Sequence, residues 1–106
     1  MSGYYVLQGH DAVPVDDVRE WARRFNDSEG RRVASTTVGE ATVSTVFLGL
    51  DHRWGEGRPL LFETMIFGGD HTEVEWRWAT WDEAEVGHRA VVAALKAGTD
   101  PMADAP

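Results

Sequence analysis

Four runs of alternating apolar and polar residues lie between Arg31 and Ala79, each closed by a turn signal, and they leave few folds open. The runs are Arg31 to Val38, Ala41 to Leu50, Leu60 to Phe67 and Thr72 to Ala79. Gly39-Glu40 is a two-residue connection with glycine first, as a type II′ hairpin turn requires. Asp51 to Pro59 and Gly68 to His71 close the other two junctions. Hairpin connections of this kind pair successive strands antiparallel.

Helical spacing flanks this block on both sides. Val15, Val18, Trp21, Ala22 and Phe25 recur at helical intervals, with Pro14 suited to the first turn and Asp16 and Asp17 to its positive end. Asn26 to Gly30 ends this helix. Thr80 to Glu83 (Thr-Trp-Asp-Glu) is a capping box that opens a second helix. Its apolar stripe is Trp81, Ala84, His88, Val91, Val92 and Leu95, and Gly98 ends it. Before the first helix, Tyr4 to Leu7 reads as a short strand and His10 to Pro14 as a connection. The predicted fold is α+β: a four- to five-stranded, mainly antiparallel sheet with two helices, in the order β-α-β-β-β-β-α. Residues 1–98 form one domain in this reading, and 99–106 a flexible acidic tail.

A chain of 106 residues can bury one core without covalent staples, and 42% hydrophobic residues is a globular share. Cysteine is absent, which excludes disulfides and thiolate metal sites and suits a reducing cytoplasm. Met1 to Ala12 has no basic start and no long apolar run, so neither a signal peptide nor a membrane span is expected. The formal net charge of -8 argues against direct binding to a nucleic-acid backbone. Trp76 and Trp78 are therefore read as core packing, not as base-stacking platforms. From Asp70 to Val86, six acids (Asp70, Glu73, Glu75, Asp82, Glu83, Glu85) face one base, Arg77. Such a run is a solvated face or a surface for a basic partner.

Turn lengths give a trial register. Phe47 falls opposite Arg32 and Glu63, and Glu63 opposite Trp76, so one row reads Arg32, Phe47, Glu63, Trp76. On this register Val43, Leu61, Met65, Phe67, Val74 and Trp78 share the helix-covered face. Eight helical steps from Thr80 to His88 cover about 12 Å, and four strand steps from Thr80 to Trp76 about 13 Å. His88 is then expected above Trp76 and beside Glu63. The four residues Arg32, Glu63, Trp76 and His88 would form either a satisfied core contact or a polar ligand pocket in an aromatic wall. The opposite face would show Val33, Val46, Leu48, Leu50, Leu60, Phe62 and Ile66, apolar enough to suggest a homodimer.

His10-Asp11, Asp51-His52 and Asp70-His71 carry metal-ligating residue types, but their spacing gives no common site and no metal or cofactor is expected. The loop with Asp51, His52, Arg53, Trp54 and Arg58, together with Glu73 and Glu75, is the candidate interaction surface. Its bland alternative is a glycine-rich connection whose Trp54 covers the sheet end.

Three runs, Val43 to His52 (VSTVFLGLDH), Leu61 to Gly69 (LFETMIFGG) and Ala79 to His88 (ATWDEAEVGH), resemble a family of small uncharacterised proteins encoded by bacteriophages and prophages. The resemblance implies a phage setting and brings no catalytic residues. The leading expectation is a non-enzymatic protein in the host cytoplasm that engages or inhibits a host protein through its acidic surface. A small-ligand binder near Glu63 and His88 is the alternative, and a small hydrolase using His52 or His71 the second.

Overall fold

Turns and caps set by a few residues fix the main elements. The computed structural model describes residues 3–26, 28–51 and 57–102. In chain order the elements are β1 (Tyr5–Gln8), β2 (Asp11–Pro14), α1 (Val18–Phe25), α2 (Ser28–Arg31), β3 (Arg32–Val38), β4 (Ala41–Phe47), β5 (Phe62–Phe67), β6 (Glu75–Trp78) and α3 (Trp81–Ala97). The fold is α+β. β3-β4-β5-β6 form one antiparallel sheet in sequence order, and β1-β2 form a separate hairpin. Gly39 takes φ 59° while Glu40 does not, which is the type II′ pattern.

The N-terminal third differs from expectation. His10 to Pro14 is not a connection: Asp11 to Pro14 pair with Tyr5 to Gln8, turning at Gly9, where φ is 62°. Pro14 closes a strand instead of opening a helix. The α1 cap is Asp17, whose carboxylate accepts from the Arg19 N–H. Val18 and Ala22 stay exposed, so α1 turns only Trp21 and Phe25 inward, stacked at 4.8 Å. The hairpin is stitched to the chain beyond β4 by Tyr5 N–H donating to the Gly49 carbonyl and Asp51 N–H donating to the Gly3 carbonyl.

The sheet register differs by one residue at both longer connections. Phe47 lies opposite Phe62, not Glu63, and Trp76 lies opposite Thr64, not Glu63. A one-residue slip turns a strand over. β5 is therefore inverted relative to the trial register, while the second slip restores β6. Phe62, Thr64 and Ile66 face the helix, and Glu63, Met65 and Phe67 face away. The turn after β5 is longer than expected because Glu73, at φ 73°, donates its N–H to the Ile66 carbonyl before β6 begins. A bulge between Arg32 and Ala34 moves Arg32 opposite Val46 on the outer face. The outer face is consequently Ser35, Thr37, Thr42, Ser44, Val46, Glu63, Met65, Phe67, Glu75 and Arg77, far more polar than expected.

α3 covers the other face. Its buried residues are Ala84, Gly87, His88, Val91 and Ala94, one stripe at helical spacing. The Thr80–Glu83 capping box is formed, and Gly98 ends the helix at φ 75°. The core has two parts. Phe47, Leu61, Phe62, Trp78 and Ala84 pack with the hairpin, and Ala41, Val43, Ile66 and Val91 pack further along α3. Beyond Gly98 the chain stays attached: Thr99 bonds the Ala94 carbonyl and Pro101 is fully buried.

Gly87 sets how closely α3 approaches the sheet. A Cβ there would meet the Trp78 ring at 2.2 Å. Helix propensity alone favours Gly87→Ala by about 1 kcal/mol. We expect the opposite, a loss of about 1–3 kcal/mol from overpacking, read as a lower urea midpoint. An unchanged or higher midpoint would show that α3 can move away from Trp78 at no cost.

Candidate functional site

The most polar part of the interior lies under the middle of α3. Ala34, Thr45, Thr64 and Trp76 form one row across the four strands, and His88 sits over it. Thr45 and Thr64 are 0% exposed and His88 is 4% exposed. Strand alternation puts both threonines inward because Val43 and Phe47, and Phe62 and Ile66, flank them on the same face. The Trp78 indole N–H donates to Thr64 Oγ1 at 3.0 Å. Thr64 and Thr45 hydroxyls are 2.6 Å apart, Thr45 is 2.7 Å from His88 Nδ1, and Thr36 is 2.9 Å from His88 Nε2.

Counting donors assigns the protons. An indole nitrogen only donates, so Thr64 accepts from Trp78. If Thr64 then donates to Thr45, and Thr45 to His88 Nδ1, the neutral imidazole carries its proton on Nε2 and donates to Thr36. Every donor from Trp78 to His88 along this chain then has an acceptor. In the reverse order Thr64 would accept twice and its own proton would point into the core unmatched, at about 1–3 kcal/mol. The chain therefore runs one way: Trp78 to Thr64 to Thr45 to His88 to Thr36. A charged imidazole needs two acceptors and would force that reversal. Burial, with the nearby Arg89 guanidinium, holds His88 below the usual imidazole range.

Glu63 is not beside His88. Facing outward, it receives the Arg77 guanidinium at 3.2 Å, while Arg77 also reaches Glu75 at 3.4 Å. Partial burial and the Glu75 charge raise the Glu63 carboxyl above the usual range, with Arg77 opposing them. Arg32 is exposed on β3. Trp76 packs against both parts of the core, and its indole N–H is buried without a partner. His88 lies at the level of the row that ends in Trp76, but over β3 and β4, bonded to Thr36 and Thr45, and not above Trp76 on the edge strand β6. Glu63 and Arg32 lie on the outer face, so the four-residue row does not form.

Of the interaction candidates, His52, Arg53 and Trp54 lie outside the described residues. Asp51 bonds Gly3 through its N–H. Arg58 grips Glu83 through both nitrogens at 2.9 and 3.1 Å. Although burial opposes it, this grip with the Thr80 cap holds Glu83 below the usual carboxylate range. Glu73 and Glu75 are exposed. His10 stacks flat on Trp81 at 3.8 Å, and His71 is half-buried with its carbonyl accepting from Val74. Among the described residues no three His, Asp or Glu side chains gather as metal ligands.

Sequence reading missed Thr36, Thr45, Thr64 and Gly87. The available signal was Gly87 itself, since a glycine inside an amphipathic helix marks a close approach.

Two outcomes test the chain. Thr45→Val, nearly isosteric, should lose about 1–3 kcal/mol of unfolding free energy, because it strands the Thr64 proton and the His88 acceptor. The pH dependence follows from the lowered His88 value. The unfolded chain binds this proton more readily, so the contribution is full above about pH 6.5 and is lost as pH falls below it. The stability advantage of the native chain over His88→Gln, measured by urea titration, should shrink from pH 7 to pH 5. Pairwise comparison cancels the opposing contribution of Glu63. A constant difference would mean that His88 is not held neutral.

No family model matches the chain, and comparison with curated proteins and with solved structures also finds no match.

Proposed function

We propose that this protein works by binding another protein, using the acidic corner where β6 meets α3. One observation carries the reading. A shallow groove lies between Arg77 and Trp78 of β6 and Asp82, Glu83 and Val86 of α3, with Val86 54% exposed. β6 is an edge strand, and its ladder toward β5 uses Val74, Trp76 and Trp78. Alternation then directs the N–H and C=O groups of Glu75 and Arg77 to the free edge. An apolar strip beside unpaired backbone groups and carboxylates suits an extended basic segment that adds as a strand. The net charge of -8 speeds such an encounter.

The resemblance to phage-encoded proteins makes a host protein in the bacterial cytoplasm the natural partner, and inhibition of it the natural outcome. No described helix is long and apolar enough to cross a membrane. A second copy on the outer sheet face has less support, because that face is lined mainly by serine, threonine and charged residues.

The test is fluorescence polarisation with labelled peptides that alternate lysine and valine, against glutamate-valine controls. The lysine peptides should bind, more weakly as salt rises. Val86→Asp and Asp82→Lys should each weaken binding about tenfold, or about 1.4 kcal/mol. Equal binding by both peptide sets, or by the variants, would contradict this reading.

A further inference from the structure

A second site lies where the β1-β2 hairpin, α1 and β4 meet, and it shares no residue with the β6–α3 groove. It is a cavity of about 210 Å³ with walls that include Tyr5, Trp21, Phe25 and Phe47 and two guanidinium groups, Arg24 and Arg31. Among the described residues no acidic side chain lines it, in a chain of net charge -8. The walls are held in place. The Trp21 indole donates to the Gly49 carbonyl at 3.0 Å, and a Cβ on Gly49 would crowd that nitrogen at 2.8 Å. Arg24 donates to the Leu7 carbonyl. Arg31 donates from Nη1 to the Phe47 carbonyl at 3.3 Å and lies over the Phe25 ring at 3.9 Å.

Those contacts leave one group unused. The Arg31 Nε–H is buried and has no acceptor. An incompletely paired guanidinium, with a second one and aromatic rings around the same cavity, suits an anionic acceptor from outside the chain.

We propose that this cavity binds a small organic anion, a single aromatic ring bearing a carboxylate. The volume selects the size: an apolar cavity of about 150 Å³ accommodates benzene, and the remainder admits a carboxylate. The guanidinium fork matches a planar carboxylate better than a point cation would. Tyr5, Trp21, Phe25 and Phe47 supply ring contacts. The site goes beyond the protein-binding reading and stands whether or not that reading holds.

Benzoate is the probe, with benzamide as its neutral counterpart. Both are titrated into the full chain, followed by Trp fluorescence and by the arginine Nε–H signals in ¹⁵N-correlated NMR. Benzoate should bind in the millimolar range or tighter and shift the Arg31 Nε–H resonance, with benzamide about tenfold weaker or more. Arg31→Lys should weaken benzoate about tenfold while circular dichroism stays native. If Arg31→Lys fails to fold, the benzoate–benzamide comparison on the native chain decides alone. Equal binding of the two probes would overturn the anion preference. No response of the Arg31 Nε–H to benzoate would overturn the site.

Discussion

The one-way hydrogen-bond chain from Trp78 through Thr64, Thr45 and His88 to Thr36 is the interaction on which the rest of this structure depends. It crosses from β6 through β5 and β4 into α3 and returns to β3. It therefore fixes the helix against all four strands at once. Apolar packing alone leaves a helix free to slide by fractions of a turn over a sheet. A chain in which each donor has one acceptor admits one position. It also explains why two threonines fill the centre of the sheet where valine would match the shape. Valine at Thr64 would strand the Trp78 indole, and valine at Thr45 would leave the His88 ring without its donor. Gly87, one residue before His88, lets α3 close onto the ring of Trp78, the first donor of the chain.

Charge is sorted around this neutral interior. His88 is held uncharged under the helix, whereas Glu63, Glu75 and Arg77 meet on the outer face, where water can solvate them. The acidic residues of the 70–86 stretch are mostly at the surface, on the turn before β6 and the first turns of α3. Arg24 of α1 and Arg31 of α2 turn the other way, onto backbone carbonyls of β1 and β4.

What was legible in the sequence was local. The Thr80–Glu83 capping box, the Gly98 cap and the Gly39-Glu40 turn each rest on residues within one turn of chain, and each forms as expected. The register did not follow, because it depends on how many residues each longer connection consumes. Glu73 in a left-handed conformation lengthens one turn, and pairing that continues from Leu48 to Leu61 shifts the other. One residue was enough to exchange Glu63 for Thr64 beneath the helix. His88 does reach the level of the row that ends in Trp76, since that height rests on helix and strand rise. Its place across the sheet, over β3 and β4, and its partners did not follow, since they rest on helix tilt and register. The β2 strand was hidden by its Pro14, which a strand tolerates at an unpaired edge.

The central claim is that His88 is neutral and carries its proton on Nε2. Long-range ¹⁵N–¹H correlation of the imidazole reads this directly, through distinct shifts for a protonated and an unprotonated ring nitrogen. Nδ1 should be unprotonated and Nε2 protonated at neutral pH, and this state should persist below the usual imidazole range. A proton on Nδ1, or an imidazolium at neutral pH, would contradict it.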